Sequence, residues 1–386
     1  MRQPSAPSTF SDVDALVAQG QLPAAAELLD QLLGAGQPTA AQWLQLAGLR
    51  RAIRQPRKAL DAVHRALALE PLDFMALVMR AGLLERLDDP AAGEAWAEAL
   101  AQRPEGDLPS PLAAAVAAGA AFHAAWQADR EAQLIAATAP AEKCADADAA
   151  WRIARFRDNV LRKTKVYHSE PTHFHFPGLT EREYFPRHMF SWLAEVEAAT
   201  SAIREELLAV MQSDRSELVP YLEYSEHEAL AQWRALNRNP DWTAIHLIKR
   251  GQIVSRNADQ CPRTMALLSH MPQPTIAGAS ANAMFSLLAP HKVIPPHVGV
   301  NNARLLCHLP LIVPEGCWFR VGAETRLWRE GEAFVFDDTF EHEAANPTDQ
   351  LRVVMIFDIW HPDLTEAERQ AVAALIAADG NVGNIS

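Results

Sequence analysis

Three side chains stand at spacings that suit metal and carboxylate chemistry. His297 follows Pro295 and Pro296 in "PPHVGVNNARLLCH", His342 lies in "FDDTFEHEAAN", and Arg352 comes ten residues later in "LRVVMIFDIWHP". Two imidazoles from different strands of a β-sandwich can hold one face of a ferrous ion and leave positions open for a chelating cosubstrate and dioxygen. An arginine offers a planar fork to a carboxylate. The segment "ANPTDQ" reads as a turn, so a hairpin would set Arg352 on the strand beside the second imidazole. That arrangement suits a small dicarboxylate gripped at both ends. Each residue also has a plainer use. His297 can be a loop residue, His342 a solvated turn histidine between two glutamates, and Arg352 a partner for a surface acid. The aspartates of "FDD" can be turn formers that bond their own backbone. An H-x-D iron signature is missing, because Gly299 stands where its carboxylate would be.

Strands must position these groups. From about residue 283 the sequence offers "MFSLLAP", "RLLCHLPLIVP", "CWFRVG", "TRLWREG", "EAFVFDD" and "LRVVMIFDIW", short β-favouring runs punctuated by proline, glycine, asparagine and aspartate. Strands in succession without intervening helices imply a jelly-roll-like sandwich. Ahead of them "FSWLAEVEAATSAIREELLAVM" reads as one long helix. A last helix starts in "DLTEAERQAVAALIAA", with Thr365 and Glu368 as a capping box.

The first hundred residues have another texture, rich in alanine and leucine. Pro23, Pro56 and Pro90 mark one period of 33–34 residues and Pro38, Pro71 and Pro104 another in step with it, while "AGL" recurs at 47 and 81. That is a tetratricopeptide-like period. "TAAQWLQLAGLRRAIRQPRKALDAVHRALALEP" reads as two amphipathic helices joined at "RQP", and "DFMALVMRAGLLERLDDPAAGEAWAEALAQRP" repeats the plan. Such repeats either present a concave face to a peptide or serve as a packing platform. Residues 109 to 165 read as a helical connector.

Bulk properties narrow the function. With 49% hydrophobic and 22% charged residues the chain is globular, and its net charge of -13 opposes a phosphate-binding surface, so no nucleic-acid partner is expected. The opening residues lack the apolar core of a secretory signal, and "PLAAAVAAGAAFHAAW" is too short to span a bilayer. No membrane span is expected. Four scattered cysteines without a C-x-x-C pair fit neither a disulfide scaffold nor structural zinc, which makes a reducing cytoplasm the expected location. Hydrolytic signatures are lacking: there is no G-x-S-x-G elbow, H-E-x-x-H helix or Walker loop.

Residues 170 to 363 resemble the aspartyl/asparaginyl β-hydroxylase family of 2-oxoglutarate-dependent dioxygenases. The stretches that carry the likeness are "HFPGLTEREYFP", "DWTAIHLIKRGQIVSRNADQCPRTMALL", "PPHVGVNNARLLCHLPLIVPEGCWFRVG", "WREGEAFVFDDTFEHEAAN" and "LRVVMIFDIWHP". The resemblance implies Fe(II) on His297 and His342, with 2-oxoglutarate and O2 as cosubstrates. It implies no carboxylate ligand at Gly299, and Asp338 as the acid that orients a water there. Ser286 and Arg352 match the positions that hold the distal carboxylate of 2-oxoglutarate, His308 one near its chelating end, and Arg304 a basic residue associated with the substrate carboxylate. Two departures stand out: Leu306 replaces a further arginine, and Met284 replaces a basic residue two before the serine. Fewer cations remain to neutralise an acidic substrate.

The expected fold is therefore multidomain α + β. A tetratricopeptide-like helical solenoid (1–108) and the connector (109–165) precede a double-stranded β-helix, or jelly roll, with flanking helices (166–386). The expected reaction is hydroxylation of an unactivated C–H bond, at the β-carbon of an aspartyl or asparaginyl residue in a peptide or protein recruited by the repeats. Two rivals stay open: hydroxylation of a free small molecule or lipid-linked acyl chain, and a non-enzymatic repeat adaptor with a degenerate β-domain.

Overall fold

The computed structural model describes residues 9–213, 218–221, 234, 237–276 and 278–379. Residues 1–8 of the stretch read for an export signal lie outside the described residues. The chain divides into two units, 1–161 and 162–386.

Alanine and leucine at helical spacing build the first unit from α1 (Phe10–Ala18), α2 (Leu22–Ala35), α3 (Ala40–Ala52), α4 (Pro56–Leu69), α5 (Phe74–Arg86), α6 (Ala92–Ala101), α7 (Ser110–Glu142) and α8 (Ala147–Val160). Both hairpins read from the repeat are present, as α3–α4 and α5–α6. Thr39 opens α3 with a capping box to Gln42, Asp73 caps α5 by accepting from the Ala76 amide at 2.7 Å, and Pro56 starts α4 where no amide is needed. Small residues set the helix spacing. A Cβ at Gly119 of α7 would fall 2.3 Å from the Trp96 ring of α6, so these helices meet where no side chain intervenes. Arg50 is buried and bonds Glu27 at 2.6 Å, Asp30 at 2.9 Å and Gln55 at 2.8 Å, tying α2 to α3 and to the turn before α4. The segment expected as a connector forms α7 and α8, which group with this unit.

The second unit is a pair of antiparallel sheets. Its strands are β1 (Val219–Pro220), β2 (Trp242–Lys249), β3 (Gln252–Ile253), β4 (Ala283–Leu288), β5 (Lys292–His297), β6 (Arg304–Ile312), β7 (Trp318–Val321), β8 (Glu324–Leu327), β9 (Phe334–Phe336), β10 (His342–Asn346) and β11 (Arg352–Trp360). The larger sheet runs β1-β2-β4-β11-β6-β9, with β3 beside β2, and the smaller runs β5-β10-β7-β8. Alternation decides what each face does. On β11, Val353, Met355, Phe357 and Ile359 join an outer core with α9 (Leu193–Ala198), α10 (Thr200–Met211) and the later helix α12 (Pro262–Leu268), which follows α11 (Ser255–Ala258). Val354 and Ile356 point the other way, toward the smaller sheet. The last helix is α13 (Glu366–Asp379), and the Thr365 amide donates to Glu368 at 2.7 Å in the expected capping box.

All six runs read as strands are strands, but β2, β5, β10 and the two-residue β1 and β3 were not foreseen. β5 carries Pro295 and Pro296 and lies at the edge of its sheet, where a missing amide donor leaves no ladder bond broken. The single helix expected over 190–211 is two. The Thr200 hydroxyl donates to the Glu197 carbonyl at 2.6 Å and competes with the helical ladder at the break between α9 and α10. Among the described residues no helix is long and apolar enough to cross a membrane, and all four cysteines are free thiols.

One buried side chain fixes the turn between His342 and Arg352. Asn346 donates to the carbonyls of Leu288, Ala289 and Gln350 at 3.1, 3.1 and 2.7 Å, and accepts from the Thr348 amide and hydroxyl at 3.2 and 2.7 Å. Asn346→Ala should lower the stability of the second unit by roughly 2–4 kcal/mol, since several buried carbonyls lose their donor together. Asn346→Asp should not rescue it, because the three donations come from the amide nitrogen. Denaturant midpoints of the three proteins check this.

Candidate active site

A cavity opens between the two sheets. Its wall brings together every residue singled out above: Ser286 from β4, His297 from β5, Arg304 and His308 from β6, Asp338 from the turn after β9, His342 from β10 and Arg352 from β11.

Register places the two imidazoles. His342 and His297 are direct cross-strand partners, and their ring centroids are 4.0 Å apart. Each Nδ1 donates to the carbonyl two residues earlier in the chain, His297 to Pro295 at 2.7 Å and His342 to Phe340 at 3.0 Å. A carbonyl only accepts, so both rings carry the Nδ1 proton and present a lone pair on Nε2. Burial keeps them neutral: it pushes His297 well below the usual histidine range and His342 down to about 4. Two neutral imidazoles with the same tautomer are the state in which histidine binds a metal.

Gly299 has a spatial role that composition alone does not reveal. A Cβ built there would lie 2.3 Å from Oδ2 of Asp338, so the Asp338 carboxylate occupies the space where a side chain at 299 would begin. Oδ2 accepts from Arg304 Nη2 at 3.1 Å, whereas Oδ1 is buried without a partner. Burial raises the Asp338 pKa, opposed chiefly by the charge of Arg304. Burial pulls Arg304 down, but Asp338 and Asp358 outweigh it and hold the guanidinium above its ordinary value. Among the described residues no three His, Cys, Asp or Glu side chains form a group that could hold a metal ion.

The other end of the cavity carries a buried guanidinium. Arg352 is 2% exposed, forms no ion pair among the described residues, leaves Nε unbonded, and lies 5.5 Å above the Trp328 ring. Burial lowers its pKa to about 10, which leaves it charged at neutral pH. Two residues along the neighbouring strand register, Ser286 accepts at Oγ from the Trp242 indole at 3.0 Å, so its own proton is free to be donated into the cavity. His308 stacks on Trp328 at 5.6 Å, and neither of its ring nitrogens has a partner. Burial, then the charge of Arg352, keeps it neutral. Unpartnered buried polar atoms are rare, and those of His308, Asp338 and Arg352 converge on one cavity.

Sequence reasoning missed Trp242, Trp328 and Asp358 as parts of this wall. Trp242 and Asp358 sit in "DWTAIH" and "FDIW", stretches already noted, but strand phase alone would have turned them inward only after β2 and β11 were paired with β4. His246, opposite Met284 on β2, is buried with both ring nitrogens unpartnered, and burial lowers it to about 4.

Two measurements check this geometry. Gly299→Ala should displace Asp338 and cost about 1–3 kcal/mol of stability through overpacking, visible as a lowered unfolding midpoint. His246 binds a proton more readily when unfolded, so it costs stability as pH falls from 6.5 toward 4, by up to about 1.4 kcal/mol per pH unit. His246→Leu should therefore flatten the acid limb of the stability profile measured by urea unfolding at pH 7, 6 and 5.

The profile of the family described as "Aspartyl/Asparaginyl beta-hydroxylase" matches residues 197–362. Human "Aspartate beta-hydroxylase domain-containing protein 2" is 39% identical over 154 residues, 39% of this chain and 42% of the relative. Human "Aspartyl/asparaginyl beta-hydroxylase" is 35% identical over 177 residues, 45% of this chain and 21% of the relative. The chain thus spans about half or less of the length of these relatives. Among solved structures, PcrH from Pseudomonas aeruginosa aligns with 30% of this chain and 87% of its own at 16% identity, with a TM-score of 0.26.

Proposed function

We propose that this chain, whose residues 197–362 belong to the aspartyl/asparaginyl β-hydroxylase family, is an iron(II)- and 2-oxoglutarate-dependent hydroxylase. The observation that carries the reading is one cavity holding two neutral, tautomer-matched imidazoles and, apart from them, a buried guanidinium with no ion-pair partner among the described residues. Bound iron(II), with 2-oxoglutarate and dioxygen, would supply the oxidising power to insert one oxygen atom into an unactivated C–H bond, releasing succinate and carbon dioxide.

The protein's own part is positioning. His297 and His342 would hold the metal through Nε2, their rings fixed by the Pro295 and Phe340 carbonyls. Arg352 and the Ser286 hydroxyl would bind the distal carboxylate of 2-oxoglutarate, with Ser286 oriented by Trp242. His308 offers a neutral ring near the other end of that molecule. Asp338, seated where a side chain at 299 would begin, would present its unpartnered Oδ1 as an acceptor for a water. Phe319, Trp328 and Phe336 line the cavity and keep bulk water from the reacting carbon. The substrate class that the family points to is the β-carbon of an aspartyl or asparaginyl residue in a peptide, with the helical unit as the means of recruitment.

Anaerobically prepared protein given iron(II), 2-oxoglutarate, oxygen and candidate peptides should release succinate and add one oxygen to the peptide by mass spectrometry. His342→Ala should abolish both and lose the iron. Arg352→Ala should weaken 2-oxoglutarate about 10- to 100-fold, the worth of a charged hydrogen-bonded pair. Full succinate release by His342→Ala would defeat the reading.

A further inference from the structure

Resting on that reading, the distribution of charge along the cavity indicates which kind of side chain reacts. Two guanidinium groups line the wall among the described residues, and the proposed function assigns Arg352 to the cosubstrate. The other, Arg304, already faces carboxylates of the protein. Asp338 is 3.1 Å from it, and Asp358, fully buried on β11, lines the same cavity, where it accepts from the Asn282 amide at 2.8 Å and side chain at 3.2 Å. With both acids ionised, this end of the cavity is net negative. With Asp358 protonated, the Arg304–Asp338 pair sums to zero. In neither state does a positive charge remain for a substrate carboxylate.

The floor beside this pair is aliphatic. Met284 on β4 is opposite Ile356 on β11, Ile356 is opposite His308 on β6, and Leu306 on β6 is opposite Asp358. Met284 and Ile356 are buried, and Leu306 packs against them in the inner core. Met284 and Leu306 are also the two positions where the family resemblance leads one to expect cations. His246, the cross-strand neighbour of Met284, is held neutral by burial and supplies no charge in their place. A carboxylate brought here would meet two acids and three hydrocarbon side chains, and a lone buried anion is strongly disfavoured. An amide or an alkyl group meets no such penalty.

We infer that the cavity takes a substrate side chain without charge at the reacting position, an amide or an aliphatic group, and rejects a carboxylate. Met284 and Leu306 are the specificity-determining residues. N-acetyl-asparagine and N-acetyl-aspartate methylamides are nearly isosteric and differ in charge, which makes them suitable probes. Each is titrated calorimetrically into the full chain loaded anaerobically with manganese(II) and 2-oxoglutarate, so that binding is read without turnover. The asparaginyl probe should bind at least tenfold more tightly than the aspartyl probe. The double variant M284K/L306R should bring the ratio to unity or invert it, with its thermal unfolding recorded to establish that it folds. Equal or tighter binding of the aspartyl probe by the wild-type chain, or no binding of the asparaginyl probe, overturns the inference. Failure of the underlying reading shows separately, as an absence of 2-oxoglutarate binding before either probe is added.

Discussion

A side chain at residue 299 and the carboxylate of Asp338 cannot occupy the same space, and the second unit is arranged around that exclusion. With glycine at 299, the turn after β9 brings Asp338 against the start of the chain that follows His297, and the Gly299 amide donates to the Asp338 carbonyl at 2.6 Å. Asp338 then pairs with Arg304, and burial keeps the two imidazoles neutral beside this compensated acid. The carboxylate that an H-x-D sequence would carry at 299 is delivered instead by Asp338, from the turn after β9. A single missing Cβ thereby links sequence to electrostatics.

The rest of the unit serves this arrangement by register. The smaller sheet sets His297 opposite His342, and the larger sheet lines up Ser286, Val354 and Pro310, then Met284, Ile356 and His308, on its inner face. Asn346 fixes the turn that separates His342 from Arg352 by crossing to the end of β4. One end of the cavity carries a charged guanidinium with no counter-ion among the described residues, while the other carries one already compensated. That asymmetry leaves uncompensated positive charge at the Arg352 end and none at the Arg304 end.

Much of this was legible from residue order. Strands with aliphatic alternation, such as β4, β6 and β11, are read directly because their two faces differ. The helical hairpins were visible as a period in proline and alanine. What escaped were elements whose identity depends on neighbours. β5 holds two prolines and survives because it is an edge, and β10, with the sequence "HEAAN", has almost no strand-forming residues and is held by partners on both sides. The break between α9 and α10 depends on one threonine hydroxyl. In the site, type and spacing made the histidines and Arg352 candidates beside plainer uses, and the family likeness assigned them roles and supplied Ser286, His308, Arg304 and Asp338. Neither source contained the Arg304–Asp338 contact, which joins residues far apart in the chain, nor the inward position of Asp358, which follows only from strand pairing.

The central claim is that this cavity binds a metal and 2-oxoglutarate together. Calorimetric titration of 2-oxoglutarate into anaerobic protein, with and without one equivalent of iron(II), tests it most directly. The account predicts saturable one-to-one binding that tightens markedly when iron is present, because chelation adds to the grip of Arg352. Binding that ignores iron, or no binding at all, would contradict it.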